Sequence, residues 1–180
     1  MLGQLLELDR KLSQKFLLPE DSTLLRQMAA FFAHSGDSWF WLAGLFVIWL
    51  VAKGNTRSLA ALFAGAILIQ AALVLAIKFL IRRRRPEGDW GELYRKADPH
   101  SFPSGHAVRA VMLALMAWQL GVAPLNLILA IWAPLVSFAR VALGLHFLVD
   151  ILAGWLLGIA LALSIVQAWP LFIAIFPWVF

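Results

Sequence analysis

The chain has 180 residues, of which 62% are hydrophobic and 14% are charged, and its formal net charge is +5. A soluble domain carries about a quarter charged residues, whereas the stretches 110–139 and 151–180 contain none. So short a chain cannot bury several apolar segments of about twenty residues inside a water-soluble shell. The absence of cysteine excludes disulfides, thiolate metal sites and cysteine nucleophiles. The composition therefore indicates an all-α protein embedded in a membrane.

Residues 1–36 form an amphipathic N-terminal segment that lacks the continuous apolar core of a cleavable signal peptide. Within 2–17 the charged residues fall mostly on one side of a helix. The other side carries an apolar stripe made of Leu5, Leu8, Leu12 and Phe16. This pattern predicts a helix lying on the membrane surface. A second short helix is predicted to follow the Ser22 cap.

Five apolar segments follow, and we expect each to cross the membrane as a helix. They are residues 39–52, 58–81, 106–122, 125–143 and 147–169. The aromatic tail 170–180 is too short to cross alone and is predicted to lie at the interface. The whole chain is thus one domain with a helical core at 37–169. Since the spans alternate sides, the N-terminal segment, the polar connection 82–105 and the turn at 143–146 share one face.

The first polar cluster of note closes the second predicted span, from Lys78 to Arg85-Pro86. On a continuing helix Lys78 and Arg85 share one face, and Pro86 disfavours helix at Arg85, so the helix is predicted to end there. The alternative is that these cations extend to the interface or clamp anionic lipid. For Arg83 and Arg84 that alternative is preferred.

The second cluster is the segment Ser101-Phe-Pro-Ser-Gly-His106, which opens the third predicted span. Backbone N–H groups at a helix start bind anions. Ser104 can add a hydroxyl, Gly105 permits close approach, and His106 can transfer a proton. The alternative is an ordinary polar loop with a helix cap.

The third cluster joins Arg140, His146 and Asp150. His146 and Asp150 are four residues apart on one helix face, where a carboxylate can hold one imidazole nitrogen protonated and leave the other nucleophilic. Gly144 provides the turn that aims Arg140 and His146 into one pocket. Ionisable groups inside a membrane bundle are rare and usually paired or functional. The alternative is a structural His–Asp pair.

Together the clusters contain the parts of a phosphoryl-transfer site: three cations, a helix start and two histidines. No carboxylate cluster suits Mg²⁺, so neither a metal nor another cofactor is expected. The basic residues are not laid along a soluble surface, which argues against nucleic acid as a partner. The expected partners are a lipid phosphate and the bilayer, and the oligomeric state stays open.

All three segments resemble the signature of the type 2 phosphatidic acid phosphatase family, which has a core in common with the vanadium haloperoxidases. The family pattern is Lys-x6-Arg-Pro, then Pro-Ser-Gly-His, then Ser-Arg-x5-His-x3-Asp. The resemblance covers about residues 30–168 and implies a membrane enzyme that forms a phosphohistidine on His146. Asp150 would orient His146, and His106 would protonate the leaving group. The phosphate would be held by Lys78, Arg85, Ser104, Gly105 and Arg140.

Two departures from the family pattern stand out. Ala139 replaces the usual serine, which removes one hydroxyl near the expected site. Family members often carry one more N-terminal span, and the amphipathic segment stands in its place here. The resemblance implies a site at the extracytoplasmic face of the cell (inner) membrane. The N-terminal basic residues share the face of the site, and the positive-inside rule would put that face in the cytoplasm. We follow the resemblance on this point.

The predicted function is hydrolysis of a phosphomonoester or diphosphate on a membrane lipid. Undecaprenyl diphosphate, phosphatidic acid and phosphatidylglycerol phosphate are the substrates considered. The alternatives are a lipid phosphotransferase or lipid A phosphatase on the same scaffold, or a non-enzymatic anion or lipid transporter. Candidate headgroup contacts, each expected to be structural or interfacial rather than selective, are Trp90, Tyr94, His100 and Arg109.

Overall fold

A computed structural model of the protein describes residues 2–87 and 98–180. Across these residues the regular structure is helical, apart from one isolated bridge between Arg84 and His100. The helices are α1 (Leu2–Gln14), α2 (Thr23–Ser35), α3 (Ser38–Val51), α4 (Asn55–Ile81), α5 (Gly105–Gln119), α6 (Leu125–Ala142) and α7 (Leu148–Ile175). The predicted all-α fold is confirmed.

Three helices of the described residues are long and apolar enough to cross a bilayer: α4, α6 and α7, with 27, 18 and 28 residues. Helix α3 is apolar but has 14 residues, and α5 has 15. Large apolar side chains lie exposed on these helices, as Leu80 and Leu156 do. Such a surface suits lipid rather than water. The chain is a membrane protein, while the count of five spans stays a prediction.

Helix α5 lies at the centre of the bundle and packs mainly against α6 and α7. Two glycines of α7 permit the close approach. A Cβ at Gly158 would lie 2.6 Å from the carbonyl oxygen of Val108, and one at Gly154 would lie 3.0 Å from that of Ser104. The start of α5 is therefore pressed against the start of α7, where the second and third clusters meet.

The last helix is longer than the sequence predicts. Helix α7 continues through Pro170 to Ile175, past the expected end of the span at residue 169. Membrane helices tolerate proline because neighbouring groups satisfy the freed carbonyl. Beyond the helix, the indole of Trp49 donates to the carbonyl oxygen of Val179 at 2.7 Å. The tail thus packs on α3, and its position at the interface stays a prediction.

The N-terminal segment forms the two predicted helices, and both contact the bundle. The apolar stripe of α1 is exposed, as Leu5 and Leu8 show. The opposite side of α1 buries Asp9 and Ser13 against the start of α7. Helix α2 packs on α6. The N-terminal segment therefore helps to build the end of the bundle that carries the polar clusters.

Candidate active site

The three polar clusters meet around a cavity of about 280 Å³ at one end of the bundle. Its wall includes six of the eight predicted site residues, namely Lys78, Arg85, Gly105, His106, Arg140 and His146. Ser104 and Asp150 lie buried behind the wall. Gln70, Val74 and Asp98 also line the cavity. The structure thus brings together residues that lie far apart in the chain.

His146 reaches the cavity because the chain turns sharply after α6. Gly144 has φ +66, and the N–H groups of Leu145 and His146 both donate to the carbonyl oxygen of Arg140, at 2.9 and 3.2 Å. Only glycine adopts such a left-handed conformation without cost. The turn that the sequence predicts at Gly144 is therefore present, and it directs Arg140 and His146 into one pocket.

The imidazole of His146 lies between a cation and a carboxylate. Its Nε2 is 3.1 Å from Nη1 of Arg85, and its Nδ1 is 3.6 Å from Oδ2 of Asp150. A guanidinium can only donate, so Nε2 is the acceptor and the ring proton sits on Nδ1. Burial lowers the pKa of His146 well below 6.5, and the charges of Arg140, Arg85 and Lys78 lower it further. The ring is neutral, with its Nε2 lone pair at the cavity.

Asp150 adjoins His146 as expected, but its hydrogen bonds go elsewhere. Its Oδ2 accepts from the backbone N–H of Phe147 at 2.9 Å, and its Oδ1 accepts from Nη1 of Arg83 at 2.7 Å. The interpretation of Arg83 as a lipid clamp is wrong, because Arg83 is paired inside the protein with Asp150 and with Asp9. A buried carboxylate needs such partners.

Arg85 reaches the cavity by a different route from the one predicted. Helix α4 ends at Ile81 and not at Arg85, and Arg82 caps it with φ +52. Residues 82–87 are not helical, and Pro86 disfavours helix only at the residue before it. Arg85 donates to the carbonyl oxygen of Leu145 at 3.0 Å, which fixes the guanidinium beside the turn that carries His146.

Asp98 joins two of the cations and was not singled out from the sequence. Its Oδ2 pairs with Nη2 of Arg85 at 2.8 Å and with Nζ of Lys78. Its carbonyl oxygen accepts from Nε of Arg85 at 2.7 Å. The sequence did contain a signal for Asp98, because this carboxylate lies in the same polar connection, residues 82–105, as several arginines. Asp98 therefore occupies cationic groups that a phosphate would also attract.

The start of α5 forms the floor of the cavity. Gly105 lines it, and the N–H groups of a first helical turn have no partner within their helix. Ser104 is fully buried, and its N–H donates to the carbonyl oxygen of Asp150 at 3.1 Å. Its hydroxyl has no hydrogen-bond partner in the part of the chain that the structure describes. Ser104 thus joins α5 to α7 beneath the cavity.

His106 has a carboxylate partner that sequence reasoning missed. Its Nε2 lies 2.7 Å from Oδ1 of Asp37, at the junction of α2 and α3. The other oxygen of Asp37 is 3.3 Å from Nδ1 of His34. Burial raises the pKa of Asp37, but the hydrogen bonds and charges of His106 and His34 outweigh it and hold this pKa below its usual value. The sequence feature that could have identified Asp37 is that it is the only carboxylate between residues 22 and 86.

The four candidate headgroup contacts lie in different parts of the molecule. Trp90 and Tyr94 lie outside the described residues. Arg109 lines the cavity, and it also donates to the carbonyl oxygen of Gly36 and to Oε1 of Gln70, which ties α5 to its neighbours. The ring of His100 packs edge-on against Phe79, away from the cavity wall.

Ala139, which stands where the family has serine, faces away from the cavity. It belongs to a small apolar cluster with Ala33, Leu143 and Leu145. The cluster joins α6 to α2. The expectation that a lost hydroxyl weakens the phosphate pocket therefore has no support in the position of this side chain.

Fold and site together define a helical membrane protein with a cation-lined cavity that holds two histidines, each beside a carboxylate. The chain belongs to the PAP2 superfamily, whose model matches residues 58–173. It is similar to an undecaprenyl-diphosphatase of Sulfolobus acidocaldarius, with 30% identity over 74% of this chain and 66% of the relative. It is also similar to a decaprenylphosphoryl-5-phosphoribose phosphatase of Mycolicibacterium smegmatis, with 32% identity over 72% of this chain and 68% of the relative.

A solved structure has the same fold. The crystal structure of a transmembrane PAP2-type phosphatidylglycerolphosphate phosphatase from Bacillus subtilis matches with a TM-score of 0.75 and 25% identity. The match covers 91% of this chain and 85% of that one. The chain spans about two thirds of the length of the two curated relatives. All three proteins are named as phosphatases, which agrees with the enzyme class predicted from the sequence.

Proposed function

We propose that this enzyme is a lipid-phosphate phosphatase that works through a phosphohistidine on His146. The observation that carries the proposal is the Nε2 atom of His146, unprotonated and held beside Arg85 at the wall of a cation-lined cavity. A neutral imidazole nitrogen is a competent nucleophile toward phosphorus. Lys78, Arg85 and Arg140 supply the charge that stabilises the transferring phosphoryl group.

In the first step Nε2 of His146 attacks phosphorus, so an N–P bond forms while the bond to the leaving oxygen breaks. The proton on Nδ1 stays next to Asp150, whose negative charge stabilises the cationic ring. His106 enters this step as the imidazolium, with its Nε2–H donating to Asp37, and gives the proton on Nδ1 to the leaving oxygen. The result is a phosphohistidine and a protonated leaving group, which is an alcohol from a phosphomonoester or a lipid monophosphate from a diphosphate.

In the second step water attacks phosphorus, so an O–P bond forms while the N–P bond to His146 breaks. His106 takes a proton from the water, phosphate leaves, and His146 returns to its neutral form. A second cavity of about 360 Å³ also reaches His146 and Arg85, and Arg10, Gln14 and Arg84 are among its polar lining residues. A polar cavity of that size has room for water.

A lipid substrate is supported by the apolar side of the first cavity. Its rim on α4 includes Ala71 and Leu75, which are exposed on the apolar outer surface of that helix. A lipid could therefore place its phosphate among the cations while its chains stay in the bilayer. We propose polyprenyl phosphates or diphosphates as the first substrates to test, because both curated relatives are named for polyprenyl substrates. Phosphatidic acid and phosphatidylglycerol phosphate come next.

We place the site at the extracytoplasmic face of the cell membrane. This follows from the family resemblance and runs against the basic residues of the N-terminal segment. A reporter fused to the C-terminus tests it, because α7 carries the C-terminus to the end opposite His146. Activity of a cytoplasmic reporter there supports the assignment, and activity of a periplasmic alkaline phosphatase fusion contradicts it.

The test of function is phosphate release by purified protein in detergent from four lipid phosphates, with and without EDTA. We expect EDTA-resistant release from wild type and none from His146→Ala. Substrate labelled with ³²P should leave an acid-labile label on the wild type after rapid quenching. Full activity in His146→Ala overturns the mechanism. Transfer of label to an added lipid alcohol without phosphate release supports the transferase, and substrate binding without turnover supports the transporter.

A further inference from the structure

Helix α1 supplies hydrogen-bond acceptors to the start of α7, the helix that carries Asp150. The first N–H groups of a helix need partners from outside it. The residue before α7 is Phe147, whose side chain has no acceptor. The N–H of Leu148 donates to Oγ of Ser13 at 2.9 Å, and the N–H of Val149 donates to Oδ1 of Asp9 at 3.1 Å. The first turn of α7 is thus capped by another helix.

The same Asp9 takes part in a line of buried charges that ends at Asp150. Its Oδ2 lies 2.6 Å from Nη2 of Arg83, and Nη1 of Arg83 lies 2.7 Å from Oδ1 of Asp150. The side chains of Asp9 and Asp150 are 4% and 0% exposed, and that of Arg83 is 14% exposed. The guanidinium also stacks over the ring of Phe147 at 4.2 Å. At this burial the charges are weakly screened and act strongly on one another.

We propose that Asp9 is a positioning residue of the active site, which acts through Arg83 on the orientation and charge of Asp150. The single positive charge of Arg83 pairs with two carboxylates, so it neutralises Asp150 only in part. The remaining negative charge of Asp150 acts on His146. Without Asp9, Arg83 would neutralise Asp150 and add a positive charge next to His146. The inference rests on the proposed roles of His146 and Asp150. Asp9 and α1 lie outside residues 58–173, which the family model matches.

Asp9→Asn separates this role from simple helix capping. The asparagine oxygen can still accept from Val149, whereas its amide nitrogen is a donor and cannot accept from Arg83. Ser13→Ala removes the capping acceptor of Leu148 and a long hydrogen bond to Oδ1 of Asp9, at 3.4 Å, but leaves the pair between Oδ2 of Asp9 and Arg83 in place. Glu7→Gln is the matched control, because it makes the same change of charge on the exposed side of α1, where Glu7 pairs with Arg10.

Turnover and its pH dependence are measured on the purified full chain with the best lipid substrate. For Asp9→Asn we expect a roughly tenfold lower kcat, an unchanged KM, and an acid limb moved to lower pH by about half a unit. The shift is downward because the uncompensated charge of Arg83 disfavours the protonated form of His146. Arg83→Gln should move the acid limb to higher pH, because the two uncompensated carboxylates favour the protonated form of His146. The double variant should return it toward the wild-type position.

Ser13→Ala should lower the melting temperature without moving the pH profile, and Glu7→Gln should change neither. Opposite shifts in Asp9→Asn and Arg83→Gln are not expected of a merely structural role. The inference is overturned if Asp9→Asn keeps the wild-type kcat and pH profile. If Asp9→Asn does not fold, a wild-type acid limb in Arg83→Gln overturns it equally. If His146→Ala is inactive while Asp9→Asn keeps the wild-type kcat and pH profile, this inference is wrong and the proposed function still holds.

Discussion

His106 and Asp37 lie 69 positions apart in the chain, yet Nε2 of His106 is 2.7 Å from Oδ1 of Asp37. The contact joins the start of α5 to the junction of α2 and α3. It holds the imidazole at the cavity wall and puts a negative charge beside it. Each histidine of the proposed mechanism therefore has its own carboxylate, and the two carboxylates come from different parts of the bundle.

Asp37→Asn should impair protonation of the leaving group. An asparagine cannot stabilise the cationic form of His106, so kcat for a lipid phosphate should fall by about tenfold or more. A substrate with a good leaving group, such as p-nitrophenyl phosphate, needs little protonation and should lose much less. The ratio of the two kcat values is the measurement, with exposed Asp21→Asn as control. Equal losses on both substrates would contradict a role in general acid catalysis.

The pKa of His146 sets the acid side of the activity profile. The attacking ring must be neutral, and burial together with three nearby cations lowers its pKa well below 6.5. Activity should therefore persist as pH falls below about 6.5, and decline only when the lowered pKa of His146 is reached. A rate profile measured from mildly alkaline to acidic pH checks this. An acid limb centred above 6.5 would be inconsistent with a buried, neutral nucleophile.

The same pKa makes stability depend on pH. In the unfolded chain His146 takes up a proton near pH 6.5, whereas the native site excludes it down to a lower pH. The free energy of unfolding should consequently decrease as pH falls from about 6.5 toward the native pKa. Melting temperatures across this window should fall less in His146→Gln than in wild type. Identical slopes would show that this histidine does not contribute.

Asp98→Asn should strengthen the binding of inorganic phosphate or vanadate. The carboxylate of Asp98 pairs with Lys78 and Arg85, which are proposed phosphate ligands. Without that charge the two cations are available to an anion, and the inhibition constant should fall by roughly threefold to tenfold. Competitive inhibition measures it, and exposed Glu20→Gln is the control. Weaker inhibition would mean that Asp98 arranges the cations for phosphate rather than competing with it.

Ala139→Ser should have little effect on turnover. Residue 139 packs in the apolar cluster with Ala33 rather than at the cavity. A serine there can bond back to a carbonyl of its own helix, so we expect kcat/KM within about twofold of wild type and a loss of stability of up to about 1 kcal/mol. A clear rise in kcat/KM would show that this position supports the phosphate pocket after all.

Local features of the sequence predicted much of this protein. Charge-free apolar runs predicted membrane helices because a bilayer excludes unpaired charge. The four-residue spacing predicted His146 and Asp150 on one helix face; the two side chains are adjacent, but His146 lies before α7, in the turn that Gly144 predicted. These features concern neighbours along the chain, where spacing and backbone chemistry decide the geometry. The helix end after Lys78 was misplaced, since Pro86 limits only the residue before it.

The sequence by itself determined the helices and the set of chemical groups around His146. Only the tertiary structure decided which buried charges pair: Asp9 with Arg83, Arg83 with Asp150, Asp37 with His106, and Asp98 with Lys78 and Arg85. The physical reason is that a buried charge must have a partner, but several arginines and carboxylates are available to each. Packing selects among them. The contact of α1 with α7, and that of α5 with the α2–α3 junction, each bring a particular pair within hydrogen-bond distance.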